Sequence, residues 1–308
     1  MDKLDPYKWS VLPGVALTIG LAAIGIFGNS NIVWATVRKS RLRSTCNLII
    51  AATALSDVFH QSAHIIFAYF YLSGNPFRRM DFCFHIFAVS AFNICFGAFL
   101  VLSIGIDRLI CVLLPTTYNQ TNKTLYLFFT MVPPTAYSLW ILYYCYIEVV
   151  DERQVVAMVA EIFVGKAHTY WHSAQAVIYF VTLIVYAWLW FVVKEKAIGS
   201  ASKRLIKSLS FVMLTLVIGW LFVGAFTVGY GSTHEVVTPS DAYFFHMNLG
   251  WLINLGMAAN YFIYFHFNDD YRRAFAEQLG ILTCGLWKPM EKDVNSTKVF
   301  ATSRTFTS

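Results

Sequence analysis

Charge is what this sequence has little of: Asp, Glu, Lys and Arg make up 13% of its 308 residues. A soluble domain carries about 25%. Half that density cannot cover a solvated surface, so a soluble enzyme is excluded. Cysteine is sparse too, with six in the whole chain, which excludes a small secreted scaffold stapled by disulfides. An apolar share of 57% excludes intrinsic disorder. Catalytic motifs are missing: there is no HExxH, no GxSxG, no GxxxxGK(S/T) loop and no paired intramembrane carboxylates. The chain reads as a non-enzyme.

What it has instead is long apolar runs. A bilayer core about 30 Å thick needs about 20 residues of helix. Seven such runs occur, at 11–37, 46–73, 82–114, 124–147, 170–193, 207–229 and 243–266. Backbone groups in lipid must be satisfied within the segment, so runs of this length are helices. A membrane barrel would need short alternating strands, and nothing here alternates. The first run is too long for a signal-peptide core and lacks a small-residue cleavage pattern after it. The fold class is therefore an all-α membrane protein, a bundle of seven transmembrane helices within residues 11–279. Residues 1–10 form a short tail before it and 280–308 a tail after it.

Lys and Arg set the expected orientation. With the N-terminus outside, Lys3, Lys8, Arg78, Arg79, Arg153 and Lys166 face outward, six of 23, and the other seventeen face inward. The net charge of +6 thus belongs to an inner face opposing anionic membrane lipid and a cytosolic partner, and no nucleic acid is implied. The sequons at Asn119, Asn122 and Asn295 fall on that inner side, where no glycan is added. After the seventh run, 268–279 is amphipathic. Asn268 is placed to cap it, and Tyr271 and Phe275 form an apolar edge expected at the membrane interface.

Polar groups inside the runs need partners. Asp57, His60, Gln61 and His64 lie at i, i+3, i+4 and i+7, one stripe of the second run. The stripe is either hydrogen-bonding glue between helices or a hydrated switch or ion site, with sodium the ion expected near Asp57. No other cofactor and no metal is implied. His168 and His172 have ligand spacing but lack a third ligand.

The order of short motifs along the seven runs resembles the rhodopsin-like G protein-coupled receptors, and most closely the nematode serpentine receptor class sx of chemoreceptors, over about 11–280. Gly28-Asn29 resembles the first-helix GN of that family, and Ala54-Leu55-Ser56-Asp57 its second-helix LAxAD. Asp107-Arg108-Leu109 with Pro115 and Tyr118 resembles DRY…P…Y, Asn260–Tyr264 resembles NPxxY, and 268–279 resembles the short eighth helix. The resemblance implies a plasma-membrane receptor that passes extracellular ligand binding to a heterotrimeric G protein. Asn29, Asp57 and Asn260 would form a polar network. Asp107, Arg108, Pro115, Tyr118, Asn260 and Tyr264 would form the coupling and switch residues, with the basic 194–208 loop as docking surface. Arrestin and a receptor kinase are implied at the Ser/Thr-rich tail, and acylation at Cys284.

Departures from the family pattern limit what carries over. Tyr261 replaces the NPxxY proline, and Trp220 lacks the proline of CWxP. The second outer loop has no Cys, so Cys83 either stays free or pairs with Cys145. Ser90 stands where amine receptors of the family have Asp, and Asn254 where opsins have the retinal-binding Lys. What remains for a ligand is His64, His85, Ser90, Asn93, His172, Gln175, Tyr243 and His246, with Tyr143, Tyr144, His168 and Trp171 nearby. This set suits a small, largely apolar or peptide ligand, although Tyr143, Tyr144 and Trp171 also fit an interfacial belt. The competing class is a secondary transporter or channel. Its usual signs are an internal repeat and broken helices. Pro133-Pro134 is expected to break the fourth run, but no repeat relates 11–147 to 170–266.

Overall fold

The computed structural model describes residues 8–149, 153–196, 199–233, 244 and 247–284. Its seven long helices are α1 (Lys8–Arg38), α2 (Thr45–Leu72), α3 (Met80–Leu113), α5 (Lys123–Ile147), α6 (Gly165–Glu195), α7 (Ser200–Thr233) and α8 (Trp251–Phe267). Two short helices join them: α4 (Pro115–Gln120) follows α3, and α9 (Asp269–Leu282) follows α8. Successive long helices alternate in direction. One end of the bundle carries Arg108 and the other carries Cys83.

Five of these helices are long and apolar enough to cross a membrane by themselves: α1, α3, α5, α6 and α7. The apolarity of α2 is diluted by Asp57, His60, Gln61 and His64, and α8 is only 17 residues long as described. Large side chains such as Phe128, Phe129, Val177, Phe180 and Phe262 are about 60% exposed. Such a surface is stable only against lipid. The family resemblance and this surface agree on a seven-helix membrane bundle.

The helices run past the apolar cores of the sequence because polar ends continue into the interface. The third spans 34 residues, as does α7, or about 51 Å at 1.5 Å per residue. The third is also the most enclosed: 61% of its apolar window is buried, against 17% for α5. So α3 is the central post and α5 a peripheral one. The basic segment 194–208, expected as a loop, is mostly helix. Its charges Lys203, Arg204 and Lys207 ride on the first turns of α7, and only a short connector separates α6 from α7.

Polar side chains start three helices at the Arg108 end, α2, α5 and α9. Ser44 Oγ accepts from Asn47 N at 3.3 Å, Asn122 Oδ1 from Thr124 N and Leu125 N at 3.0 and 3.1 Å, and Asn268 Oδ1 from Asp270 N and Tyr271 N at 3.0 and 3.3 Å. Each satisfies orphan amides of a first turn. Asn122, read from sequence as an unused sequon, is thus a helix cap. Pro133 and Pro134 do not break α5, which is continuous around them. Thr130, Thr135 and Ser138 donate to nearby backbone carbonyls at 2.7–2.8 Å, and hydroxyls of this kind ease proline into membrane helices.

At the Cys83 end a two-stranded antiparallel ribbon pairs β1 (Phe77–Arg79) with β2 (Gln154–Val156), Phe77 opposite Val156. Val155, Val156, Ala157, Val159, Ile162 and Phe163 are buried, so residues 155–163 plug the bundle as a lid. Burial under that lid raises the Glu161 carboxyl above its ordinary range, against the opposing charge of Arg153.

Helix α1 reaches α8 because Gly28 has no side chain: a Cβ there would lie 2.6 Å from Tyr261 Cβ. Gly28→Ala is expected to cost about 1–3 kcal/mol by overpacking, read as a lower Tm in detergent. Gly20→Ala, where nothing lies within 4 Å, should leave Tm unchanged. An unchanged Tm for Gly28→Ala would refute the close approach.

Candidate functional site

Two polar clusters lie inside the bundle. In the first, Asn260 Nδ2 donates to Asp57 Oδ2 at 2.9 Å and to Asn29 Oδ1 at 3.3 Å, and Asn29 Nδ2 donates to Met257 O at 3.2 Å. The three side chains come from α1, α2 and α8 and are buried. Asn260 Oδ1 has no partner. Beside them is a cavity of about 30 Å³ lined by Asp57, His60, Asn93, Tyr179, Trp220 and Met257, among others. That is room for about two waters. Ser56 Oγ donates to Asn93 O at 2.6 Å, which ties α2 to α3 at this level.

The second cluster closes the Arg108 end. Arg108 Nε donates to Asp107 Oδ2 at 2.8 Å, Arg108 Nη2 donates to Tyr118 Oη at 2.9 Å, and the Tyr118 hydroxyl donates to Asp107 Oδ1 at 2.9 Å. The Asp107 side chain is fully buried and that of Arg108 is 12% exposed. Pro115, exposed at the first position of α4, fits there because its missing N–H would be unpaired anyway. It starts the short helix that brings Tyr118 back to Asp107. Burial raises the Tyr118 phenol well above its ordinary range, so it stays a neutral donor. Two neighbours escaped the sequence reading: Tyr126, which meets the Tyr118 ring at 5.9 Å, and the buried Cys46, both close enough to Asp107 to feel its charge. Position along separate helices gave no signal that they converge.

Tyr264 is buried on α8 with its ring 5.1 Å from that of Tyr271. Tyr271 Oη shares a hydrogen bond of 3.1 Å with Thr36 Oγ1. Phe275 stacks on Tyr261 at 4.3 Å. The edge of Tyr271 and Phe275, expected at the membrane interface, is fully buried against α1 and α8. Tyr261, in place of proline, supplies the ring that docks α9. Exposed Ile281 and Leu282 are the apolar residues that α9 turns outward.

The expected ligand residues are only partly gathered. His64 Nε2 meets Asn254 Nδ2 at 3.1 Å, bridging α2 and α8, with the His60 ring 5.6 Å from that of His64. Asn93 lines the central cavity. Ser90 instead donates to Phe59 O at 2.9 Å as a helix tie. Gln175 is buried with both amide atoms unpartnered. It sits one turn from Trp171 and one from Tyr179, whose rings approach Trp220 at 5.6 and 5.9 Å. His85 and His172 are exposed: His85 Nδ1 bonds Asp81 O at 2.7 Å, and His172 packs on His168 at 4.3 Å. Helical spacing alone could not tell the inward stripe of α3 or α6 from the outward one. Tyr243 and His246 lie outside the described residues.

All six cysteines are free. Cys83 and Cys145 are buried in one apolar cluster with Cys95, and the charged neighbours of Cys83 are Glu161, Arg78 and Asp81. The pairing considered for Cys83 and Cys145 is therefore not formed. The ribbon and lid hold this end together without it.

Residues 22–279 match the family model described as "Serpentine type 7TM GPCR chemoreceptor Srsx". The chain is also similar to the tachykinin-like peptides receptor 99D of Drosophila melanogaster, 26% identical over 117 residues. That match covers 37% of this chain and 21% of the relative, so it spans about a fifth of that protein. With α5 unbroken, the ground for a transporter weakens, and the matched region takes in every long helix at least in part. The chain belongs to the serpentine seven-transmembrane G protein-coupled chemoreceptors of the Srsx class.

Proposed function

We propose that this chain is a plasma-membrane receptor, N-terminus outside, that converts binding of an extracellular ligand into nucleotide exchange on a heterotrimeric G protein. The observation that carries the reading is the closed triangle of Asp107, Arg108 and Tyr118 at the basic end of the bundle. A buried guanidinium held by its own neighbour's carboxylate is a charge available for a partner once the triangle opens. Lys203, Lys207 and Arg273 around it supply a positive field for that partner. Ligand entry at the Cys83 end shifts a pre-existing equilibrium toward the open form, which requires the ligand to bind that form better.

The unpartnered Gln175 amide and the Asn254–His64 pair offer a few directing hydrogen bonds to a small, mainly apolar ligand or a peptide end. Sodium is the ion assigned to the central cavity. The Asp57 carboxylate and the unpartnered Asn260 Oδ1 are hard oxygen donors of the right kind. Cys284, exposed just after Ile281 and Leu282, is placed for acylation that would add an anchor beside them. The tail from 285, with its candidate kinase and arrestin sites, lies outside the described residues.

Screening volatile, peptide and small-molecule libraries on the expressed chain, with nucleotide exchange on purified G protein as readout, tests the function. A stimulating ligand is the expected result. Epitope tags at the two termini test the threading: antibody access to the N-terminal tag alone on intact cells is expected, and access to both would overturn it.

A further inference from the structure

We infer that an autoinhibitory clasp holds the Arg108 end of α7 shut, formed by α7 with the elbow between α8 and α9 and not by Arg108. The inference rests on the receptor reading above and adds its regulation. Arg108 gives its hydrogen bonds to Asp107 and Tyr118, neither of which belongs to α7. The first turns of α7 instead present Arg204, Lys207 and Phe211, at i, i+3 and i+7, as one stripe. Each meets the elbow. Arg204 Nη2 pairs with Asp269 Oδ2 at 2.8 Å, Lys207 Nζ lies 5.2 Å above the Phe267 ring, and Phe211 stacks on Phe267 at 5.0 Å and 11°.

The elbow is a fixed anchor. Asn268 caps α9, and two bonds tie α9 to α1: Tyr271 with Thr36, and Gln278 Nε2 donating to Asn31 O at 3.2 Å. Lys39–Glu277 and Arg41–Asp270 ion pairs add to that attachment. The moving part is therefore α7. Its pivot is visible too. Gly219 lets α7 approach the Leu252 backbone, where a Cβ would meet Leu252 O at 2.9 Å, and Gly256 admits Leu216. From Leu216 to Arg204 is twelve residues, a lever of about 18 Å. Small tilts at the pivot become a wide opening at the Arg108 end, and the clasp opposes them.

The clasp contacts are exposed or partly so, so their removal leaves the core intact. Arg204→Glu in the full chain is expected to speed hydrogen–deuterium exchange over 203–210 and raise basal nucleotide exchange about fivefold, the equivalent of about 1 kcal/mol for one exposed ion pair. Phe267→Ala should act in the same direction. Arg204→Glu with Asp269→Arg should return both readouts toward wild type. Unaltered deuterium uptake in Arg204→Glu overturns the clasp. So does faster uptake with unaltered basal exchange, provided the wild type responds to a stimulus. If the wild type drives no G protein at all, the receptor reading fails, while deuterium uptake still decides whether the elbow holds α7.

Discussion

Arg108→Ala should reduce ligand-stimulated nucleotide exchange at least tenfold (about 1.4 kcal/mol) while ligand affinity changes little. The expectation follows from placement. Arg108 sits at the end opposite the lid, with its guanidinium held by Asp107 and Tyr118, so a ligand under the lid never meets it. Hydrogen bonds to a charged group are worth about 1.5–3 kcal/mol each, and a partner that takes over the released guanidinium gains that energy. The alanine variant also strands the buried Asp107 carboxylate, which costs about 3–5 kcal/mol when a buried pair is broken. Arg108→Gln, which keeps a donor toward Asp107, separates lost coupling from lost folding. Surface expression and ligand affinity measured beside nucleotide exchange decide it. Intact coupling in both variants would remove Arg108 from the mechanism. Tyr118→Phe should do the opposite: deleting the hydroxyl that bridges Asp107 and Arg108 loosens the triangle and raises basal exchange.

The parts of this site that share a helix or a short turn were legible in the sequence. Asp107 and Arg108 are adjacent, and Tyr118 follows a proline that starts α4, so chain continuity brings them together. The Asp57 stripe was legible because an acid in lipid must face inward. The bond from Asp57 to Asn260 spans 203 residues, and only the family resemblance linked them. Contacts that depend on helix rotation were not legible. Tyr126 and Cys46 approach Asp107 from α5 and α2 at angles that no spacing rule supplies. The outward turn of His85 and His172 has the same cause, since both lie on helices with more than one polar stripe. Tyr271 and Phe275 were read as facing lipid because an amphipathic edge looks the same whether lipid or protein covers it; here α1 and α8 cover it first. The ribbon of Phe77–Arg79 with Gln154–Val156 was hidden for another reason, as three-residue strands carry too little periodicity to register.

Asp57→Asn is expected to abolish any sodium dependence of the ligand response and shift the dose–response midpoint about tenfold, compared in sodium and choline chloride. The substitution is chosen because it preserves what a purely structural Asp57 would need. Asparagine has nearly the same shape, and its Oδ1 can still accept from Asn260 Nδ2, the 2.9 Å bond that joins α2 to α8. If Asp57 were only glue between helices, the variant would be silent. What asparagine cannot supply is the negative charge at the central cavity, which Asp57 and Asn93 line. Asp57→Leu provides the contrast: it strands Asn260 in an apolar wall, at about 1–3 kcal/mol for each unsatisfied group, and should lower Tm in any salt. Identical curves for wild type and Asp57→Asn in both salts, with a lowered Tm for Asp57→Leu, would assign the residue to helix packing alone. A sodium effect present in wild type and lost in Asp57→Asn requires the charge itself, since shape and hydrogen bond are both retained.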